Sequence, residues 1–112
     1  RTIDANATEI YRLPLAQMTG YVLFGTLLGV DAGNGNVRMI RASVVAKRLG
    51  GGALQVGAPV TIANHQDAGA STWAISAAVS GNDLVVSVTG QAGRSIDWLL
   101  DARLTSFTPA GA

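Results

Sequence analysis

Short apolar runs separated by clusters of Gly and Asn set the pattern of this chain. From Tyr21 to Val30 the alternation places Val22, Phe24, Thr26, Leu28 and Val30 on one face of a strand, and Leu23 and Leu27 with Gly25 and Gly29 on the other. Both faces are largely apolar, which predicts a strand covered on two sides, by its own sheet partner and by another chain. It stops at the run from Asp31 to Asn36, where Gly33 and Gly35 can take positive φ and Asn34 tolerates it. The next strand is predicted over Val37 to Arg48. If unbroken, it sets Arg38 with Ile40, Ala42 and Val44, and Arg41 and Lys47 with Ser43 and Val45; the pairs Met39-Ile40 and Val44-Val45 suggest a bulge that changes the phase.

A triple glycine at 50–52 predicts a return into Leu54 to Ala58, and Pro59 interrupts that strand or begins the next one through Ile62. Asn64 to Gly69 is the most polar loop. A hairpin follows, with Trp73, Ile75, Ala77 and Val79 in phase on one strand, a connection at Ser80 to Asp83, and Leu84, Val86 and Val88 on the next. The last strand sets Ile96, Trp98, Leu100, Ala102 and Leu104 against Ser95, Asp97, Asp101, Arg103 and Thr105. Six or seven strands with short loops and no convincing helix predict an all-β fold, an antiparallel β-sandwich of jelly-roll-like character. The expected organisation is an N-terminal strand, inter-subunit or linker segment at 1–15, a sandwich domain at 16–108 and a tail at 109–112.

Composition sharpens this picture. A chain of 112 residues allows one small domain with a thin core, and 18 Ala and 14 Gly supply much of its 48% hydrophobic fraction without much burial. The domain is therefore expected to borrow core from partner subunits. Eight basic against seven acidic residues, net +1, lack the basic excess of a protein that neutralises nucleic-acid phosphates. The absence of Cys removes disulfides and thiolate chemistry, so a small extracellular domain would need another source of stability, with oligomerisation the obvious one. No run of 18 apolar residues exists, so membrane insertion is not expected. The chain begins without Met, as a fragment or a processed product would.

Reactive groups are sparse. His65 and Asp67 lie on one side of an extended loop, but with no second His and no Cys they fall short of the three or four donors a metal needs; loop capping or a contact to a polar ligand fits better. Asp97 and Asp101 lie roughly 13 Å apart along an extended strand, wider than the about 5.5–9.5 Å of glycosidase carboxylate pairs. Arg103 is the expected ion partner of Asp101. The triple glycine is followed by no Gly-Lys-Ser/Thr and is not a phosphate loop. Arg38, Arg41, Lys47 and Arg48 form the one basic run, suited to solvent exposure with ion pairing or to an anionic sugar or lipid phosphate. Trp73 and Trp98 are in phase with aliphatic residues and are expected in the core, which leaves Tyr11 and Tyr21 as surface rings.

Four stretches carry a resemblance. They are Ile10-Tyr-Arg-Leu-Pro-Leu15, Val44-Val-Ala-Lys-Arg48 before a glycine turn, Trp73-Ala-Ile-Ser-Ala-Ala-Val-Ser-Gly-Asn-Asp-Leu84, and Val88-Thr-Gly-Gln-Ala-Gly-Arg-Ser-Ile-Asp-Trp98 continued by Asp101-Ala-Arg-Leu104. Together they span about residues 9 to 107 and resemble a C-terminal domain of tail fibres and related appendages of tailed bacteriophages. The resemblance implies a homotrimeric virion protein, extracellular and joined to the rest of a tail fibre, with no cofactor; an enzyme such as a depolymerase is disfavoured for want of a close acidic pair, and no enzymatic activity is expected. The expanded turn at Asp31 to Asn36 and the triple glycine depart from the pattern and are expected to be lineage-specific loops.

The resemblance implies host attachment by non-covalent binding of a bacterial surface polysaccharide or lipopolysaccharide, each weak site multiplied by three copies. The alternative is a trimerising, capping module without receptor contact. Binding residues do not transfer from the shared motifs, which occupy scaffold positions, so the candidates come from the loops. They are Asp31, Asn34, Asn36, His65, Gln66 and Asp67, with Tyr21 as the ring.

Overall fold

The computed structural model describes residues 1–48, 50 and 52–110. The glycine return at 50–52 and the tail at 109–112 thus extend, at position 51 and at 111–112, outside the described residues. Among the described residues seven strands run in order: β1 (Ala7–Pro14), β2 (Thr19–Asp31), β3 (Val37–Arg48), β4 (Ala53–Gln66), β5 (Ala74–Ser80), β6 (Asp83–Thr89) and β7 (Ile96–Phe107). A single 3-10 turn at Ala68–Ala70 lies between β4 and β5.

The strands form two antiparallel sheets, β1-β6-β5 and β4-β3-β2-β7. In the larger sheet β2, β3 and β4 are successive hairpin neighbours, and β7 returns through the other sheet to lie beside β2. This is the spatial order of one Greek key, where a jelly roll carries two. Val30 stands opposite Val37 at one end of the β2-β3 pair and Thr19 opposite Arg48 at the other, with no register shift. In the smaller sheet, Gly81 takes φ 60° at the first central position of the β5-β6 turn, the placement that matches hairpin twist.

Alternation decides what is buried. Odd-numbered residues of β2 face inward, so Tyr21, Leu23 and Leu27 are buried while Val22, Phe24 and Val30 face out. β3 keeps one phase throughout, with Ile40, Ala42, Val44 and Ala46 inward. The irregularity expected in β3 lies in its partner: β4 slips register opposite Arg41/Ala42 and Ser43/Val45, where Gly57 has φ 77° and Pro59 is accommodated. β4 is therefore one strand through Pro59, on the sheet edge where a missing N–H costs no ladder bond.

The main core joins Leu13, Leu15, Leu23, Val44, Leu84 and Val86, and a second cluster joins Ala70, Trp73 and Ile96 with Trp98 packed against it. Fully buried side chains such as Leu84, Val88 and Ile96 each contribute about 1.5–3 kcal/mol. The N-terminal segment belongs to this fold and is no detached linker. β1 pairs with β6, Leu13 and Leu15 enter the core, and Thr2 bridges Ile96.

Strands of 12–14 residues in the larger sheet face strands of 7–8 in the smaller, within an elongated body of 54 × 24 × 18 Å. The smaller sheet cannot cover the larger one. Leu104, on the inward side of β7, is consequently exposed.

Candidate functional site

The 31–36 turn, the segment after β4, the 90–95 loop and the first residues of the chain meet at one end of the molecule. In the turn, Asp31 N–H donates to Asn36 O at 2.8 Å and Gly35 N–H to Asp31 O at 2.9 Å. The Asp31 carboxylate accepts from the N–H groups of Gly33 (2.7 Å) and Asn34 (3.2 Å), and Arg94 grips it from the far loop through Nε (2.6 Å) and Nη2 (2.9 Å). The Arg94 hydrogen bonds, helped by those backbone donors against the effect of burial, hold the Asp31 carboxyl down at about 2. Ala32 N–H bonds Ser95 O, so the two loops are stitched by backbone as well.

The polar loop after β4 joins from the other side. Asp67 N–H donates to Val37 O and Val37 N–H to Asp67 Oδ2, both at 2.9 Å. His65 lies opposite Met39 on the outer face, and His65, Gln66 and Asp67 are exposed. Thus six of the seven candidates converge, but with different roles. Asn34 is exposed and Asn36 half-buried, whereas Asp31, 2% exposed, is a scaffold residue and not a contact.

Tyr21 does not belong to this end. It lies ten residues from Asp31 along β2, roughly 33 Å at ~3.3 Å per residue. It is 7% exposed, and its Oη accepts the Ala16 N–H at 2.6 Å. Tyr11 is likewise half-buried against the core. Both rings expected at the surface are structural, and both Trp pack as expected, 5.8 Å apart and edge to face at 68°.

The long motif from Val88 to Trp98 supplies this scaffold. Gln91 Oε1 accepts Trp73 Nε1–H at 3.2 Å, Gly93 takes φ 73°, Arg94 clamps Asp31, and Trp98 Nε1–H donates to Thr2 Oγ1 at 2.9 Å. Arg94 is the participant that sequence patterning missed, because its partner is 63 residues away. Asp97 pairs with Arg1 at 2.7 Å, and among the described residues Asp101 and Arg103 form no ion pair. No group of three or more His, Cys, Asp or Glu side chains gathers among the described residues. The cavity in the middle of the core, among Leu23, Val44, Val86 and Leu100, is about 30 Å³ and apolar, too small for a small-molecule ligand.

The outward face of the larger sheet is the other unusual surface. In the half away from the loops, Phe24 lies between Arg103 and Ser43, Val22 between Thr105 and Val45, and Val56 and Val60 extend the rows onto β4. Val22, Phe24, Val45, Val56 and Val60 are all more than a third exposed, and Phe107 is 71% exposed. A concavity of about 390 Å³ between Met18, Val22, Val45 and Phe107 adjoins them. Among the described residues no helix is long and apolar enough to cross a membrane. The chain matches no known protein-family model and no curated protein.

Proposed function

We propose that this chain is a non-enzymatic attachment module of a tail-fibre-type appendage of a tailed bacteriophage. It assembles as a homotrimer on the virion and turns its loop end toward a polysaccharide or lipopolysaccharide of the bacterial surface. The observation that carries this reading is an uncovered apolar sheet face, running along the outer side of the larger sheet from Val22 and Phe24 to Leu99 and Val30, with a cluster of polar loops at one end of it. Contiguous apolar surface of this kind marks a protein contact, and exposed hydroxyl, amide and imidazole groups on braced loops suit sugar hydroxyls. The resemblance of residues 9 to 107 to tail-fibre domains supplies the biological setting.

A second reading, a trimerising cap without receptor contact, draws on the turn itself, where Asp31 and Asn34 spend acceptors on neighbouring backbone. Light scattering tests the assembly that both readings share, and cell adsorption separates them. Light scattering of the isolated chain should give about 34 kDa, three times its 11.4 kDa. Val45→Lys, on the apolar face, should return it to a folded monomer. Adsorption of the labelled chain to susceptible cells, lost in an Asn34→Ala/His65→Ala variant that remains trimeric, supports attachment through the loops; adsorption unchanged by that variant moves the receptor contact to another part of the chain, and adsorption absent altogether favours the cap.

A further inference from the structure

The basic run of β3 divides between the two faces of the strand, and its first member stands apart. Arg38 faces inward at the open side of the sandwich, where β4 at the edge of the larger sheet meets β5 at the edge of the smaller. A cleft of about 450 Å³ opens there, within the about 300–1,000 Å³ of small-ligand pockets. Ile40 and Ile75 form part of an apolar floor, and the exposed side chains of Asn64, Ser71 and Thr72 line its rim.

Arg38 is fixed in place by the protein itself. Its Nε donates to Asn64 Oδ1 at 3.1 Å, and its Nη1 donates to the backbone oxygens of Ser71, at 3.1 Å, and of Trp73. All three acceptors are neutral. Among the described residues no carboxylate lies within ion-pair distance of Arg38, and its Nη2 has no hydrogen-bond partner. A guanidinium cannot shed its charge. The cleft therefore holds an immobilised cation with two donors to spare, beside hydroxyl and amide groups and above an aliphatic floor.

We infer that this cleft binds a carboxylated sugar residue. The carboxylate takes the Nη2 edge of Arg38, ring hydroxyls bond Asn64, Ser71 and Thr72, and the apolar ring face rests on Ile75. A single guanidinium with neutral walls matches one negative charge; among the described residues no second cation lines the cleft for a doubly charged phosphate. The inference rests on the glycan-attachment reading and adds to it a class of sugar and the residue that selects it.

The test is an NMR titration of the ¹⁵N-labelled chain with trigalacturonate, with neutral maltotriose and with glucose 6-phosphate. Trigalacturonate should shift the Arg38 Nε–H and the Thr72 and Ala74 amides, and maltotriose should bind at least about 10-fold more weakly for want of the charge-assisted contact. Thr72→Trp fills the cleft without touching the bonds that hold Arg38; it should leave the folded spectrum intact and abolish the shifts. Arg38→Lys keeps the charge but loses the bonds to Asn64, Ser71 and Trp73 that hold the donor in place, and should weaken binding about 10-fold. Equal affinity for the acidic and neutral sugars, binding indifferent to Thr72→Trp, or a response to glucose 6-phosphate alone overturns the assignment. Shifts confined to Asn34 and His65 overturn the cleft but leave attachment standing, whereas failure of the unaltered chain to adsorb to susceptible cells removes both.

Discussion

Substituting alanine at two glycines of one strand should have opposite effects. Gly29 faces inward opposite Trp98, and a Cβ there would lie 2.7 and 2.9 Å from Trp98 ring carbons and 3.2 Å from Trp73. Neither ring can retreat freely: Trp73 is 1% exposed and bonded to Gln91, and Trp98 is bonded to Thr2. Overpacking of this kind costs about 1–3 kcal/mol. With an unfolding entropy of about 2.1 cal/mol/K per residue, Gly29→Ala should lower Tm by roughly 4–13 °C. Gly20 lies on the outer face, where an added Cβ would meet no atom within 4 Å, and its φ is not positive. Gly20→Ala should be neutral or stabilising by up to about 1 kcal/mol. Urea and thermal unfolding followed by circular dichroism, at one fixed chain concentration, measure both. Trp98→Leu should remove most of the Gly29→Ala penalty in a double-mutant cycle. Equal stability of the two alanine variants would refute the account of the tryptophan slot.

Three further outcomes are expected. The Asp31 carboxyl is depressed from 3.8 to about 2 by Arg94, so its stabilisation is present above pH 3.8 and is lost as pH falls toward 2; the Gly33 and Asn34 amides should lose protection against hydrogen exchange, relative to the free-peptide rate at each pH, across that window, and Arg94→Met should remove the protection at neutral pH. Leu84→Ala, at a fully buried position between the sheets, should cost about 2–5 kcal/mol by denaturant titration. Trp73→Phe should cost about 0.5–1.5 kcal/mol through the lost bond to Gln91, and Gln91→Leu should reproduce part of that loss in the same unfolding assay.

What could be read from the sequence followed from local rules. The β3 bounds, the hairpin turn at Gly81-Asn82 and the inward face of β7 emerge from alternation and turn chemistry alone. The burial of Tyr21 was illegible for a specific reason: both faces of β2 are apolar, so alternation shows two faces without saying which meets the smaller sheet. Asp31 looked like a polar loop residue because its neutralising partner, Arg94, comes from another loop. β4 looked like two pieces because Pro59 breaks a regular ladder, yet an edge strand absorbs it in a bulge. In the sequence the loop candidates are separate segments, and only the Greek-key return of β7 brings the 31–36 and 90–95 loops to one end.

That return also dictates an order of events as the chain folds. β2 obtains its first neighbour at once, through the short turn to β3, but Val22 must wait for Thr105 on its other side. Until residues 96–107 arrive, a 13-residue strand with two apolar faces stands with one edge open. Pairing this distant in sequence is slow to close, and an open apolar edge invites the wrong partner. Pulse-labelled hydrogen exchange should find the β2-β3 amides protected before those that face β7. A second chain that pairs with the open edge in place of residues 96–107 would take the chain off this route, so the refolded yield should fall as chain concentration rises.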